Sequence, residues 1–148
     1  MCGRPATVAA NAQGANAPTD LHRAHHAVQP VVEGGNKASQ EANVSPIMSK
    51  LLPDVPGKEV VMITVTYPPG SSGPVHKHDA HAFIYVLEGS VVMGVNDGEP
   101  VTLAPGQVFY EGTNDIHTIG RNASKTRPAK FLVFLIKDEI TPISVPVK

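Results

Sequence analysis

The sequence predicts an all-β protein built as a sandwich or a barrel, and three observations support this class. From residue 58 onward, short segments rich in β-branched residues follow one another closely. The chain has 14 Pro and 13 Gly, mostly at the breaks between these segments, which argues against long helices. All seven aromatic residues lie between Tyr67 and Phe134, so dense apolar packing is expected in the second half. A length of 148 residues leaves room for one domain of ordinary size.

The strands are predicted in order along the chain. Within residues 58–67, an apolar set that begins at Val61 and takes every second residue alternates with a second set that begins at Val60. Two prolines and a glycine follow this segment. This is the pattern of a strand with one face in the core. Tight turns such as Asn96-Asp97-Gly98 separate the later segments. The further strands are predicted at residues 82–88, 90–95, 100–104, 107–111, 116–121 and 130–137.

The N-terminal part is predicted to lie outside this core. Residues 1–42 are rich in small residues and resemble a linker, so we interpret them as a flexible extension and assign the folded domain to residues 43–148. Cys2 could mark a mature lipoprotein end, although an ordinary tail is the simpler reading. His22, His25 and His26 have no strand or helix period around them and are interpreted as part of a solvated loop. A short helix is expected at residues 45–52.

Composition limits the classes of partner. Lys and Arg number 12 against 13 Asp and Glu, a formal net charge of -1, so no basic surface for nucleic acid or for an anionic membrane is expected. No apolar run approaches the ~20 residues of a spanning helix, and no signal peptide is recognisable. We therefore expect a soluble protein, either cytoplasmic or exported with its signal peptide removed. A single cysteine excludes an internal disulfide.

Three histidines form a candidate metal site. His76 and His78 are two residues apart, so on a strand both side chains project from one side and can reach a single ion at ~2.0 to 2.1 Å. His117, the only histidine after His81, lies in another alternating segment, and inward residues of neighbouring strands meet inside a barrel. A hydrogen-bonded polar cluster, or a site that simply binds a small molecule, is the alternative. Imidazoles packed without a metal repel when protonated and need partners when neutral, which favours a metal.

The stretch "GSSGPVHKHDAHAFIYVLEG" resembles the first signature of the cupins: glycine, five residues, His-x-His, three or four residues, Glu, six residues, glycine. Gly70, His76, His78 and Gly89 fall in register. The resemblance spans roughly residues 58–137. It implies a cupin fold, the double-stranded β-helix or jelly-roll barrel, here with an irregular N-terminal extension. It also implies one divalent metal ion (Fe, Mn, Ni, Cu or Zn), a small-molecule substrate or ligand, and a homodimer.

The second cupin signature is approximated by "GQVFYEGTNDIHTIGRN". Gly106 and His117 match its glycine and histidine. Gly112 and Asn114 stand where the family has Pro and Gly, and Arg121 stands at its Asn position, with Asn122 one residue later.

The carboxylate of the first signature is also missing, because Ala82 stands where the family has its metal-binding Glu. Glu88 has the wrong phase to replace it. The expected ligand set is therefore His76, His78 and His117, without an acidic group. His81 precedes the Glu position and is expected to point away from the cavity.

Strand phase suggests the remainder of the pocket. Ile84 and Val86 share the phase of Ala82, and Ile119 and Arg121 share that of His117, so all four are expected to face inward. Arg121 is the candidate catalytic residue, as the cation for a substrate carboxylate, although a surface arginine at the barrel rim is an equal alternative. Phe83 and Tyr85 have the opposite phase and are expected to pack between the sheets.

Three neutral ligands leave the ion its full charge and up to three open positions, enough for a bidentate substrate and oxygen. Cupins with three histidines and iron, such as those that cleave diketones or oxidise thiols, work in this way. The resemblance therefore implies dioxygenase-type oxidation of a small organic molecule. The alternatives are a non-catalytic ligand-binding or regulatory cupin, and a non-redox lyase, isomerase or hydrolase. Imidazole ligands alone do not select among the candidate metals.

Overall fold

The structure, a computed structural model, describes residues 41–148. These residues form two five-stranded antiparallel sheets without a helix. The strands are β1 (Asn43–Leu51), β2 (Lys58–Tyr67), β3 (His76–Lys77), β4 (Ala80–Glu88), β5 (Val91–Val95), β6 (Val101–Leu103), β7 (Val108–Glu111), β8 (Ile116–Asn122), β9 (Ala129–Asp138) and β10 (Val145–Pro146).

The two sheets have the strand orders β1-β2-β9-β4-β7 and β10-β3-β8-β5-β6. Alternation places the core between them, because β2, β4 and β9 each bury every second side chain. Val61, Ile63 and Val65 of β2 are all less than 9% exposed, which confirms the predicted inward face of that strand. The largest fully buried apolar side chains are Met93 and Leu135.

The all-β prediction is confirmed, and all seven predicted strands agree with the observed bounds to within two residues. Residues 1–40, which include most of the predicted extension and the cluster of His22, His25 and His26, lie outside the described residues. Within residues 41–148 no helix is both long and apolar enough to cross a bilayer.

The helix expected at residues 45–52 is wrong, because this segment is strand β1. It pairs antiparallel with β2 along almost its whole length, and that ladder of hydrogen bonds outweighs a weak local preference for helix. Pro46 is tolerated because β1 is an edge strand, and the register shifts between Pro46 and Met48.

The expected packing of Phe83 and Tyr85 between the sheets is also wrong. Both side chains lie on the outer face of the first sheet and are 46% and 44% exposed. Both side chains have the phase opposite to the core, as expected, but this side of β4 faces outward rather than toward a second layer.

Gly89 occupies the turn between β4 and β5 for two reasons. Its φ is +70°, and a Cβ there would lie 2.5 Å from the carbonyl oxygen of Pro128 and 2.8 Å from the Cα of Ala129. Gly57 has a similar φ of +78° but nothing within 4 Å of a Cβ. A side chain at Gly57 would therefore meet backbone strain alone, whereas one at Gly89 would meet both backbone strain and a steric collision.

We predict that Gly89→Ala lowers the free energy of unfolding by at least about 3 kcal/mol, since it adds a backbone collision to the left-handed strain. Gly57→Ala, the matched control, should cost only about 1 kcal/mol. Urea denaturation of both variants measures the difference. Equal losses would show that the close approach at Pro128 is not a constraint on this turn.

Candidate metal centre

The three predicted histidines come together at one end of the space between the sheets. Strand β3 pairs with β8 so that His76 lies directly opposite His117, and their ring centroids are 4.9 Å apart. The centroids of His76 and His78 are 4.7 Å apart, and their Nε2 atoms are separated by 3.1 Å. His78 and His117 are buried, whereas His76 is half-buried.

A carboxylate that the sequence did not predict lies among these rings. Glu111, 2% exposed, places Oε1 3.3 Å from Nδ1 of His117 and Oε2 3.4 Å from Nε2 of His78. His76, Glu111 and His117 each offer one ligand atom, and these three atoms lie within 4.8 Å of one another. His78 is not part of this group of three, although its Nε2 lies close to His76 and Glu111. The expectation of a site without an acidic group is therefore wrong.

The position of Glu111 explains how the family's carboxylate was replaced. Strand β7 pairs antiparallel with β4, and Glu111 lies directly opposite Ala82, the residue at the Glu position of the cupin signature. Residues directly opposite each other in an antiparallel pair project to the same face, so the carboxyl group reaches this face from the neighbouring strand. A single charged residue at the end of the apolar segment 108–111, just before a turn, was the only signal for it in the sequence.

A tight turn links Glu111 to His117. The Gly112 N–H donates to Oδ2 of Asp115 at 2.7 Å, and the Asp115 N–H donates to the Gly112 carbonyl at 3.1 Å. Asn96 holds the other carboxylate oxygen of Asp115 at 2.8 Å. The two bonds to its carboxylate lower the pKa of Asp115, and the bond from the Gly112 N–H has the larger effect. Together the three bonds fix the short turn between Glu111 and His117.

Hydrogen bonds at the far side of two rings determine their tautomers. Nδ1 of His76 contacts the Pro74 carbonyl at 2.8 Å, and Nδ1 of His78 contacts the Ile143 carbonyl. A carbonyl can only accept, so both Nδ1 atoms carry a proton, and in the neutral form of each ring Nε2 then carries a lone pair. The two lone pairs face each other across 3.1 Å, an arrangement that repels unless a proton or a cation lies between them.

Two further atoms of the cluster lack partners within the described residues. Oε2 of Glu111 and Nε2 of His117 are buried, and no group of residues 41–148 forms a hydrogen bond with them. Buried polar groups are rarely left without a partner, and each such group costs about 1–3 kcal/mol. Facing lone pairs and orphaned acceptors fit a site for a divalent cation, because bonds of ~2.0 to 2.2 Å to one ion would place its ligand atoms about 3 Å apart.

Burial shifts the proton equilibria of the cluster. Burial, and then the charge of Asp115, raises the pKa of Glu111 to about 7. Burial, and then the neighbouring His76, lowers the pKa of His117 to about 4. Burial also lowers the pKa of His78, against the opposing hydrogen bond to Ile143. Near pH 7 the buried rings are neutral and the Glu111 carboxyl group is close to its titration midpoint, so in the absence of a cation it holds a proton below neutrality.

The cluster opens into a cavity of about 860 Å³. Tyr67 lies in its wall, and burial, followed by the charge of Glu111, raises the pKa of that phenol to about 12. Among the described residues, no Lys or Arg contributes to the lining, and Glu41 is the one charged side chain besides Glu111. The apolar lining residues include Ile63, Val65, Ile84, Met93, Phe131 and Val133.

Arg121 lies outside this cavity. The pairing of β5 with β8 shifts between Gly94 and Val95, which leaves Thr118 as an extra residue on β8. The inward phase moves by one residue beyond this bulge, so Gly120 and Asn122 are buried while Arg121 is exposed. The expected inward position of Arg121 is therefore not observed, and its catalytic role stays a prediction that the geometry does not support.

The same bulge accounts for two other differences. Ile119 is half-buried and does not line the cavity, contrary to expectation. Asn122, one residue beyond the family's Asn position, is buried, and its Nδ2 contacts the carbonyls of Tyr67, Pro68 and Arg127 at 2.8–3.1 Å.

His81 points outward, in agreement with its predicted phase. It is exposed, its Nδ1 lies 2.7 Å from the hydroxyl of Tyr110, and the two rings are stacked. Of the two further predicted inward residues, Ile84 lines the cavity and Val86 is fully buried in the core.

Comparison with known structures supports the fold. A protein with a double-stranded β-helix domain from Klebsiella pneumoniae is similar, with a TM-score of 0.59 and 14% identity over 76% of this chain and 90% of that one. An oxalate oxidase bound to glycolate matches with a TM-score of 0.56 and 22% identity over 72% of this chain and 55% of that one. The DMSP lyase DddQ from Ruegeria pomeroyi matches with a TM-score of 0.52 and 23% identity over 60% of this chain.

The match spans 43% of the lyase chain, and these low identities establish a shared fold alone. Among curated protein sequences, none matches this chain. The sequence model of the cupin domain matches residues 63–135, a range that contains all four residues of the cluster. Together with the two-sheet architecture, this match shows that the chain contains a cupin domain.

Proposed function

We propose that this cupin domain binds one divalent metal ion through His76, His78, His117 and Glu111 and uses it to oxidise a small organic molecule. The proposal rests mainly on one observation: the Nε2 atoms of His76 and His78 lie 3.1 Å apart. Hydrogen bonds from their Nδ1 atoms to the carbonyls of Pro74 and Ile143 hold the two rings in this position. When bound, the ion would supply Lewis acidity toward a substrate oxygen and, if it is redox-active, the capacity to react with dioxygen.

The chain's own residues prepare the site for such a ligand. The Nδ1–H bonds orient two rings before a metal arrives, so little ordering is required on binding. Glu111 would release its proton and offset part of the positive charge of the ion. Apolar walls such as Ile63, Ile84 and Phe131 would hold the organic part of the substrate and exclude water.

The charge of the cavity bears on the type of substrate. No cation lines it among the described residues, so a second carboxylate of a substrate would find no counter-ion there. We infer that the substrate is a largely apolar molecule with one or two oxygen donors, such as a diketone or a phenol, rather than a small dicarboxylate.

Non-redox chemistry at the same centre is the second candidate. The hydroxyl of Tyr67 lines the cavity beside the cluster, and its raised pKa keeps it protonated at neutral pH. A protonated phenol there could serve a lyase or an isomerase. The homodimer that the family resemblance implies stays a prediction.

The protonation of Glu111 yields a prediction about metal binding. With a pKa of about 7, the carboxyl group holds a proton below neutrality that a cation must displace. The association constant for Zn²⁺ should therefore rise about tenfold per pH unit from pH 5.5 toward 7 and level off above it. The lowered pKa of His117, about 4, keeps that ring neutral over this range. Competition with a chromogenic chelator measures the constant.

Glu111→Gln should lower the affinity at pH 7.5 by at least about tenfold and remove most of this pH dependence. Exposed Glu139→Gln is the matched control and should match the wild type. An affinity that is equal in wild type and Glu111→Gln at every pH would remove the carboxylate from the ligand set.

Oxygen consumption tests the proposed reaction. The Fe²⁺-loaded protein should consume dioxygen with at least one of a panel of diketones, thiols and phenols, and the Zn²⁺-loaded protein should consume none. An oxygen electrode gives the rates, and Glu111→Gln serves as the site-deficient control. Stoichiometric metal binding without oxygen uptake on any substrate would reject oxidation and favour the non-redox class.

A further inference from the structure

Tyr67 is the one tyrosine that lines the cavity among the described residues. It ends β2, is 4% exposed, and packs edge-on against Phe131 with ring centroids 5.2 Å apart. Its backbone is fixed on two sides, because it pairs with Ala129 in β9 and its carbonyl accepts a hydrogen bond from Asn122 at 3.1 Å. The ring thus has one well-defined position.

Two glycines make room for the hydroxyl. A Cβ on Gly73 would lie 2.8 Å from this oxygen, and a Cβ on Gly120 would lie 2.9 Å from it. Neither glycine has a positive φ, so space rather than backbone conformation requires the missing side chain. Any larger residue at either position would push the phenol out of its place.

The hydroxyl is a neighbour of the metal cluster. The same Cβ position on Gly120 lies 2.9 Å from Nε2 of His117, which has no hydrogen-bond partner among the described residues. Within the described part of the chain, no protein group accepts a hydrogen bond from the Tyr67 hydroxyl. The hydroxyl and this nitrogen therefore approach one common point, at the wall of the cavity where a bound molecule would sit.

We propose that Tyr67 is a ligand-binding residue of this site, whose hydroxyl donates a hydrogen bond to an oxygen atom of the small molecule bound beside His117. The inference rests on the proposed metal site and specifies its ligand. The cavity takes molecules that present an enolate, phenolate or carbonyl oxygen at the cluster and an apolar body toward Ile63 and Phe131. Ligands that coordinate through nitrogen alone offer no oxygen atom to the Tyr67 hydroxyl, so their affinity does not depend on it.

Tyr67→Phe tests this role, since it removes the hydroxyl and keeps the ring against Phe131. The probes are 4-nitrocatechol, which offers oxygen atoms, and imidazole, which offers nitrogen only, both titrated by absorption into the Co²⁺-loaded protein. The affinity for 4-nitrocatechol should fall by about tenfold, as expected for one hydrogen bond to a charged oxygen. The affinities for imidazole and for Co²⁺ should remain unchanged.

Two further variants complete the test. Gly73→Ala should give the same selective loss, because its Cβ meets the Tyr67 hydroxyl and no metal ligand among its nearest atoms. Tyr85→Phe, on the exposed outer face of β4, should behave as the wild type.

Equal affinity of wild type and Tyr67→Phe for 4-nitrocatechol would overturn the inference and leave the metal site intact. Loss of Co²⁺ from Tyr67→Phe would also overturn it, since the residue would then be supporting the ligands themselves. Failure of the wild type to bind Co²⁺ would instead reject the proposed function, and the inference with it.

Discussion

The carboxyl group of Glu111, 2% exposed, lies between two imidazoles at 3.3 and 3.4 Å, and the rest of the site depends on how that charge is balanced. A buried carboxylate is costly unless it is protonated or paired with a cation. Burial also holds His78 and His117 in their neutral forms, so neither ring supplies the balancing charge near pH 7. Only a proton or a bound cation is left to do so.

The pairing register of the β strands, more than the local sequence, creates this arrangement. Glu111 and His117 lie on strands of different sheets, joined by a turn that Asp115 closes, and Glu111 lies directly opposite Ala82 in the pairing of β7 with β4. The bulge at Thr118 then directs Gly120 inward. The ends of two β strands and one turn therefore set the geometry of the site, while the apolar core fixes the distance between the sheets.

Periodicity was sufficient for the fold because alternation over ten residues, as in β2, has one interpretation. The three histidines are also predictable, since His-x-His in an extended segment fixes a common side, although β3 ends at Lys77 and His78 directly follows it. Glu111 is not, because its role depends on the pairing with Ala82, which no local pattern encodes. Counting in twos from His117 directs Arg121 inward, but the one extra residue at Thr118 reverses such a count. Strand β1 is not predictable from its own sequence, because its pairing with β2 holds it extended.

Anomalous diffraction from crystals of the Zn²⁺-loaded protein would locate the metal ion. We expect one strong peak per chain, ~2.0 to 2.2 Å from Nε2 of His76, Nε2 of His78, a ring nitrogen of His117 and a carboxylate oxygen of Glu111. Crystals at stoichiometric Zn²⁺ with no peak at this point, or with Glu111 turned away from it, would show that these four residues do not form a metal site.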